Sequence, residues 1–331
     1  MDRITLGNDE FEGQNNAYVL LDEDRDDLAL LDTGLSMPSI REDLRTGLER
    51  RGYGFADVDE IVLTHHHIDH AGLAGEIQAE SDATVYVHEA DAPLVAGAQE
   101  TIDTVERQRR KRLESWGVPA DAIDQLETFF ENSQYARGEP ADVTPITDGD
   151  ILEVGGWHLE TIHTPGHAAG LCSFDVLERP DSAAVDEAFV GDTVLPTYTP
   201  NVGGADVRID RPLATYLESL ERLVDRGYDR FWPGHRDPIE TPRERVKTIV
   251  DHHHERTDRV LAILREHGPC DPWTVSEHLF GDLSGVHVMH GPGEAFAHLD
   301  QLHQDGRLER EDGVYHLLAD DRDGRAPSCR R

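Results

Sequence analysis

The stretch "VLTHHHIDHAGLAG" (62–75) constrains this chain more than any other. Four histidines and an aspartate fall within positions 65–70, directly after the apolar run "EIVL". A buried strand ends there, and ionisable side chains begin. Loops at strand ends are where a rigid scaffold presents chemistry. The pattern recurs: "TPGH" (164–167) follows "HLETIH", "GDT" (191–193) follows "EAFV", and "PGH" (233–235) follows "RFW". Strand exits that each offer His or Asp can converge on one point.

The remaining pattern supplies a frame for that convergence. "AYVLL" and "LALLDTG" read as strands joined by the acidic turn "DEDRDD" (22–27), and "SIREDLRTGLERRGY" as a helix. "ATVYVHEAD" is another strand. Residues 100–135 change character and read as an inserted helical hairpin, broken at Gly117 and Pro119. Strands resume at "ILEVGG", "WHLETIH", "LCSFDVL" and "EAFVGDTVL". "PLATYLESLERLVDRG" follows with apolar residues at 213, 216, 217, 220, 223 and 224, an amphipathic helix.

Residues 1–240 therefore form one catalytic unit, and 241–318 a helical one. In the latter a long helix from Pro242, with an apolar stripe through Val246, Ile249, Val250, Val260, Leu261 and Leu264, precedes two shorter helices, "TVSEHLFGDL" and "GEAFAHLDQLHQDG". A hairpin, "RLEREDGVYHLL", closes it. Three helices and a hairpin is a winged-helix order. Residues 319–331 read as a disordered tail.

Within "THHHIDH" the informative subset is His65, His67, Asp69 and His70. Such a set can serve two metal ions about 3.5–4 Å apart, a spacing used in hydrolysis. His and carboxylate donors suit zinc, and also iron or manganese.

Taken in order, "THHHIDH", "TPGH", "GDT" and "PGH" make the chain resemble the metallo-β-lactamase superfamily over roughly residues 5–240. The resemblance implies an α/β fold, the αββα sandwich. It assigns one divalent cation to His65, His67 and His167, a second to Asp69, His70 and His235, and a bridging role to Asp192. His66 fills the variable position and is not expected to bind metal. Two cations lower the pKa of a shared water to about 7, so a metal-bound hydroxide is the expected nucleophile. Asp69 is expected to orient that water or shuttle its proton. No serine or cysteine nucleophile is needed.

Around this set, Asp32 in "LLDTG" is expected to fix the loop beside the metals. His163, four residues before His167, is a candidate to support it, and so is one of His252, His253 and His254 in "DHHHER", His254 foremost, since related proteins keep a histidine on the helix after "PGH". The rest of "DHHHER" reads as a solvated helix face, His88 and His158 as surface or strand-edge residues, and His298 as packing. The loop "DTVLPTYTPNVGG" (192–204) starts at Asp192, so Tyr198, Thr199 and Asn201 are expected to line a substrate cleft. With the winged helix, it is similar to the branch holding glyoxalase-II-like hydrolases and β-lactamase-like endoribonucleases.

Charge narrows the function. The chain has 67 acidic and 31 basic side chains, a net charge of −36, and scarce lysine. Dense carboxylates hold hydration where salt screens their repulsion, so a salt-adapted, haloarchaeal cytoplasm is expected. Nucleic-acid binding draws on Lys and Arg, which this balance disfavours. Cys172, Cys270 and Cys329 form no CxxC pair and predict no disulfide framework. The N-terminus has no signal-peptide pattern, which argues against an exported β-lactamase, and no apolar run of about 18 residues predicts a membrane span.

The favoured expectation is hydrolysis of a small acyl substrate such as a thioester. A single-stranded RNA endonuclease of the same fold is the alternative, supported by "RQRRKR" (107–112). A winged-helix nucleic-acid-binding regulator is a third; "GEAFAHLDQLHQDG" has no Lys or Arg for it. Persulfide oxidation at a single iron is a further reading, weakened by two complete ligand sets. Oligomeric state is open.

Overall fold

The computed structural model describes residues 1–8, 13–22, 27–132, 136–180 and 186–318. The tail 319–331 and Cys329 lie outside the described residues.

Two sheets face one another. The first has six strands in the order β1 (Asp2–Leu6), β2 (Asn15–Asp22), β3 (Asp27–Leu31), β4 (Glu60–Val62), β5 (Thr84–His88) and β6 (Val143–Ile146). The second has five: β7 (Ile151–Val154), β8 (Trp157–His163), β9 (Cys172–Glu178), β10 (Glu187–Gly191) and β11 (Arg230–Pro233), ordered β11-β10-β9-β8-β7. β3 through β6 pair in parallel, so their C-terminal ends share one edge. β10 and β11 are also parallel, which puts the exits to "GDT" and "PGH" side by side.

Alternate residues of each strand decide the layers. Tyr18, Leu20, Ala29, Leu31 and Val62 from the first sheet meet Leu152, Trp157, Leu159, Phe174 and Phe189 from the second in a core between the sheets. The opposite face of the first sheet buries Val19, Leu28, Leu30, Ile61 and Val85 against α1 (Pro38–Glu49) and α3 (Ala74–Ser81). The opposite face of the second buries Ile162, Ala188, Val190 and Phe231 against α7 (Pro212–Arg226) and α8 (Pro242–His267). The result is a helix–sheet–sheet–helix sandwich. The amphipathic stripe of α7 is as its spacing required: Leu213, Tyr216, Leu220 and Leu223 are buried, with Leu217 and Val224 packed at the edge.

Two short helices, α2 (Ile68–Ala71) and α4 (Ala92–Val95), follow β4 and β5. α5 (Gln99–Ser115) and α6 (Ala120–Asn132) form the hairpin inserted between β5 and β6. After α8 come α9 (Pro272–Phe280), α10 (His287–Gln304), β12 (Leu308–Glu311) and β13 (Val314–Leu317), around a core of Val260, Leu264, Val275, Leu299 and Tyr315. The hairpin α5–α6 packs through Leu113, Trp116, Ile123 and Leu126 onto Met289 and Phe296 of α10, so insertion and C-terminal helices share one apolar cluster.

The third C-terminal helix starts at His287, not at Gly293 as its breakers suggest. It runs through Pro292, and Gly293 lets a neighbouring loop approach: a Cβ on Gly293 would lie 2.3 Å from the Gly204 backbone. That close approach docks the 201–204 loop on α10. β1 and β6 are elements the periodicity did not show.

Candidate metal centre

The strand exits do converge. Ring nitrogens of His65, His67 and His167 lie within 4.8 Å of one another, as do ligand atoms of Asp69, His70 and His235, and of His65, His70 and Asp192. Asp192 stands between the sets. Its Oδ1 is 3.5 Å from His70 Nε2, and its Oδ2 is 3.6 Å from His167 Nε2 and 3.4 Å from His235 Nε2. Asp69 Oδ2 lies 3.5 Å from His235 Nε2 and 3.8 Å from His70 Nε2.

Each ring is aimed by what holds its other nitrogen. His70 Nδ1 donates to Asp32 Oδ2 at 2.8 Å. Asp32 also accepts from the Thr64 amide at 2.8 Å and from the Thr64 hydroxyl, which in turn lies 3.0 Å from His65 Nδ1. His167 Nδ1 donates to the Asn201 carbonyl at 2.9 Å, and His235 Nδ1 to the Gly13 carbonyl at 2.7 Å. Asn15 Nδ2 steadies Asp69 Oδ2 at 3.3 Å. The Nε2 atoms of these four rings are thus left facing inward. His67 differs: it turns Nδ1 inward, 2.9 Å from His65 Nε2 and 3.0 Å from His167 Nε2.

That geometry calls for a cation. Burial pushes His65, His67 and His167 below the ordinary imidazole value, which keeps them neutral. Three neutral rings then point nitrogens at one spot with too few hydrogens to link them all. Burial also weighs against charge on His70 and His235, but the carboxylates of Asp192 and Asp69, joined at His70 by Asp32, outweigh it and pull both upward. The carboxylates therefore demand positive charge. His70 Nε2 and Asp192 Oδ1 are buried without a hydrogen-bond partner. A Cβ on Gly234 would come within 2.5 Å of Asp192 Oδ1 and 2.7 Å of His70 Cε1, so only glycine fits in "PGH". The donor set fits two divalent cations, and the orphaned atoms are where they would bind.

Asp32 adopts a left-handed backbone, φ 60°, which costs an ordinary residue about 1–2 kcal/mol. Its carboxylate bonds to Thr64 and His70 hold it there, a strained residue placed at a functional site.

Other expected residues fall elsewhere. Asn201 lines the cavity beside the cluster, but Tyr198 and Thr199 do not; Tyr198 is 49% exposed, with Arg236 over its ring. The loop turns after Pro196, and chain proximity to Asp192 does not set side-chain direction. His163 does not touch the cluster: its Nε2 donates to the Ala169 carbonyl at 2.8 Å, bracing the loop that carries His167. His254 lies on the exposed face of α8, while His253, one helical step away, is buried against Tyr216 and His298. "DHHHER" is therefore not wholly solvated. His88 is also buried, stacked on His163 at 4.0 Å, not a surface residue.

A neighbouring cluster escaped the sequence altogether. His66, Asp91 and Asp206 also have metal-compatible spacing, but the Arg208 guanidinium occupies it. Arg208 Nη2 donates to Asp91 Oδ1 at 2.6 Å and to Asp206 Oδ2 at 2.5 Å. His66 Nδ1 donates to Asp91 Oδ2 at 3.1 Å. Burial would raise the Asp91 and Asp206 carboxyls, yet His66 and Arg208 hold Asp91 well below the usual carboxylate range, and Arg208 with His66 lowers Asp206. The only sequence signal would have been the company of "DVR" (206–208) after a cleft-lining loop.

A cavity of about 590 Å³ adjoins the cluster. His66, His67, Asp69, His167, Asp192 and Asn201 form part of its wall, with residues of α4, α5, α6, the segments 137–140 and 205–207, and the start of α10.

A family model described as the metallo-beta-lactamase superfamily matches residues 11–235. The probable metallo-hydrolase YqjP of Bacillus subtilis is 30% identical over 286 residues, 84% of this chain and 85% of that protein. A metallo-beta-lactamase family protein from Thermus thermophilus has a similar crystal structure, with a TM-score of 0.79 and 29% identity over 96% of this chain and 98% of that one. An atrochrysone carboxyl ACP thioesterase of Aspergillus fumigatus is 29% identical over 134 residues, 40% of this chain and 38% of that protein.

Proposed function

Since the chain belongs to the metallo-β-lactamase superfamily and is a metallo-hydrolase, we propose that it binds two divalent cations and hydrolyses a small acyl substrate, most plainly a thioester. The observation that carries this reading is the cavity: its volume lies in the range of small-molecule sites, and it opens directly onto the histidine–aspartate cluster. His65, His67 and His167 would hold one cation, Asp69, His70 and His235 the other, with Asp192 within reach of both sets. Zinc suits these donors, as do iron and manganese. Bound there, two cations supply an ionised water at neutral pH and polarise the substrate oxygen.

The chain's own residues do the rest. Asp69, held by Asn15 and 7% exposed, faces the cavity and can take a proton at its free carboxylate oxygen. Asp32, Thr64 and the carbonyls of Gly13 and Asn201 keep the imidazoles from rotating. Helices α5, α6 and α10 wall off water. In this reading α8–α10 and their hairpin are a winged-helix-like module that closes the cavity. The thioesterase named among the relatives supports the acyl class. The charge of −36 supports a salt-adapted cytoplasm. No helix among the described residues is long and apolar enough to cross a membrane.

The RNA reading loses its main support in three dimensions. "RQRRKR" makes no continuous basic face: Arg110 pairs with Glu127 at 2.6 Å, Arg112 with Asp210 at 2.7 Å, and Arg109 turns into the cavity. α10 carries no Lys or Arg, which counts against a nucleic-acid-binding regulator. Zinc-loaded protein tested on acyl and glutathione thioesters and on single-stranded RNA separates the readings. Thioester hydrolysis lost in Asp192→Asn is expected. RNA cleavage lost in that variant, with no thioesterase activity, would reverse the ranking.

A further inference from the structure

Among the described residues, two arginines in the cavity wall are held by no carboxylate. In a chain with 67 acidic and 31 basic side chains, such an arginine is conspicuous. The side chain of Arg109 lies over the Phe130 ring, 4.5 Å from its centroid, and makes no hydrogen bond or ion pair among the described residues. Arg137 lines the same cavity. Burial, with the charge of Arg137, disfavours an unpaired cation at Arg109; Glu106 and Glu127 oppose this only in part, and Glu127 is already engaged by Arg110.

The placement follows from helix geometry. Ile102, Val105, Glu106 and Arg109 are spaced i, i+3, i+4, i+7, so one face of α5 turns into the cavity. The first two continue an apolar lining made by Leu94, Val95, Val207, Val286 and Met289. A guanidinium stacked on an aromatic ring keeps its fork of N–H donors free for a planar or tetrahedral anion.

We propose that this cavity selects acyl substrates bearing a second anionic group, a carboxylate or a phosphate, separated from the scissile bond by an apolar segment and bound by Arg109 with Arg137. The inference rests on the hydrolase reading above. The anion can belong to the acyl part or to the thiol part.

Matched thioesters separate the sources. With zinc-loaded full chain, one pair compares adipoyl and methyl-adipoyl thioesters of N-acetylcysteamine; a second compares hexanoyl thioesters of phosphopantetheine and pantetheine. Wild-type kcat/KM should favour the anionic member of one pair by about 10- to 100-fold, the worth of a charge-assisted hydrogen bond. Arg109→Leu should bring that ratio close to unity, and Arg109→Lys, which keeps charge but not the fork, should leave an intermediate ratio. Equal rates within both pairs in the wild type, or a ratio that survives Arg109→Leu, overturns the proposal. If no thioester is turned over, the hydrolase reading fails on its own. Calorimetric titration with adipate and with hexyl phosphate then decides the anion site. Wild type should bind one of them about tenfold more tightly than Arg109→Leu does, and somewhat more tightly than Arg109→Lys. Equal affinity in wild type and both variants overturns it.

Discussion

Two clusters of histidine and carboxylate grow from one seven-residue motif, and they solve the same electrostatic problem differently. His66 joins Asp91 and Asp206, and Arg208 supplies the positive charge from within the chain. His65, His67 and His70 join Asp69 and Asp192, and no arginine or lysine pairs with those aspartates among the described residues. The first cluster is complete; in the second, His70 Nε2 and Asp192 Oδ1 have no hydrogen-bond partner. Metal-compatible spacing alone does not mark a metal centre. What marks it is buried negative charge that no arginine or lysine among the described residues neutralises.

That contrast can be broken from either side. The largest effect is expected for Asp192→Asn, which removes the carboxylate shared by both ligand sets. Hydrolysis should fall by about 10⁴-fold, ~5.5 kcal/mol of transition-state stabilisation, and bound metal should drop below two equivalents with little change in folding. Arg208→Met should do the reverse. Stranding Asp91 and Asp206 without their cation should cost about 3–5 kcal/mol in denaturant unfolding, while the histidine cluster keeps its metals. Loss of metal with unchanged stability would contradict that division of labour.

A smaller effect is expected at Asp32. Asp32→Asn tolerates the left-handed backbone but loses the charge that holds His70 Nδ1, so metal affinity, measured by competition with a chelator, should weaken about 10- to 100-fold. The acid limb of stability sharpens the comparison further. Asp91 and Asp206 have depressed carboxyl values in the folded state. Their stabilisation is therefore fully present above about pH 4, the ordinary carboxyl value, and is lost as pH falls towards the folded values. In metal-free protein the difference in stability between wild type and Arg208→Met should shrink as pH drops below about 4; a gap that widens would refute the assignment. The smallest effect is expected for Asn201→Ala. His167 uses the Asn201 backbone carbonyl, while the Asn201 side-chain amide donates to the His290 carbonyl and Glu294 and accepts from the Gly204 amide, away from the cluster, so kcat/KM should change by less than about tenfold.

Much of the frame and the cluster could be read in the sequence, because both rest on local patterns. Period-2 and period-3.6 spacing gave most strands, α7 and the inserted hairpin, and strand exits are where His65, His167, Asp192 and His235 had to lie if they were to meet. Direction was the blind spot. Tyr198 and Thr199 follow Asp192 as Asn201 does, yet a turn sends only Asn201 into the cavity. His253 and His254 differ by about 100° around α8, enough to exchange burial for solvent. "RQRRKR" read as one basic patch because a charge run averages over helix faces, whereas the structure divides it among Glu127, Asp210 and the cavity. The Arg208 cluster joins Asp91 to Arg208, 117 positions apart, and its local part, "DVR", does not reveal that partner.

Equilibrium dialysis of the full chain against zinc, followed by metal analysis, tests the central claim most directly. Two equivalents per chain in the wild type, and fewer in Asp192→Asn, are predicted. One or none in the wild type, or two that persist after Asp192→Asn combined with His65→Ala and His235→Ala, would show that the uncompensated cluster is not where the cations bind.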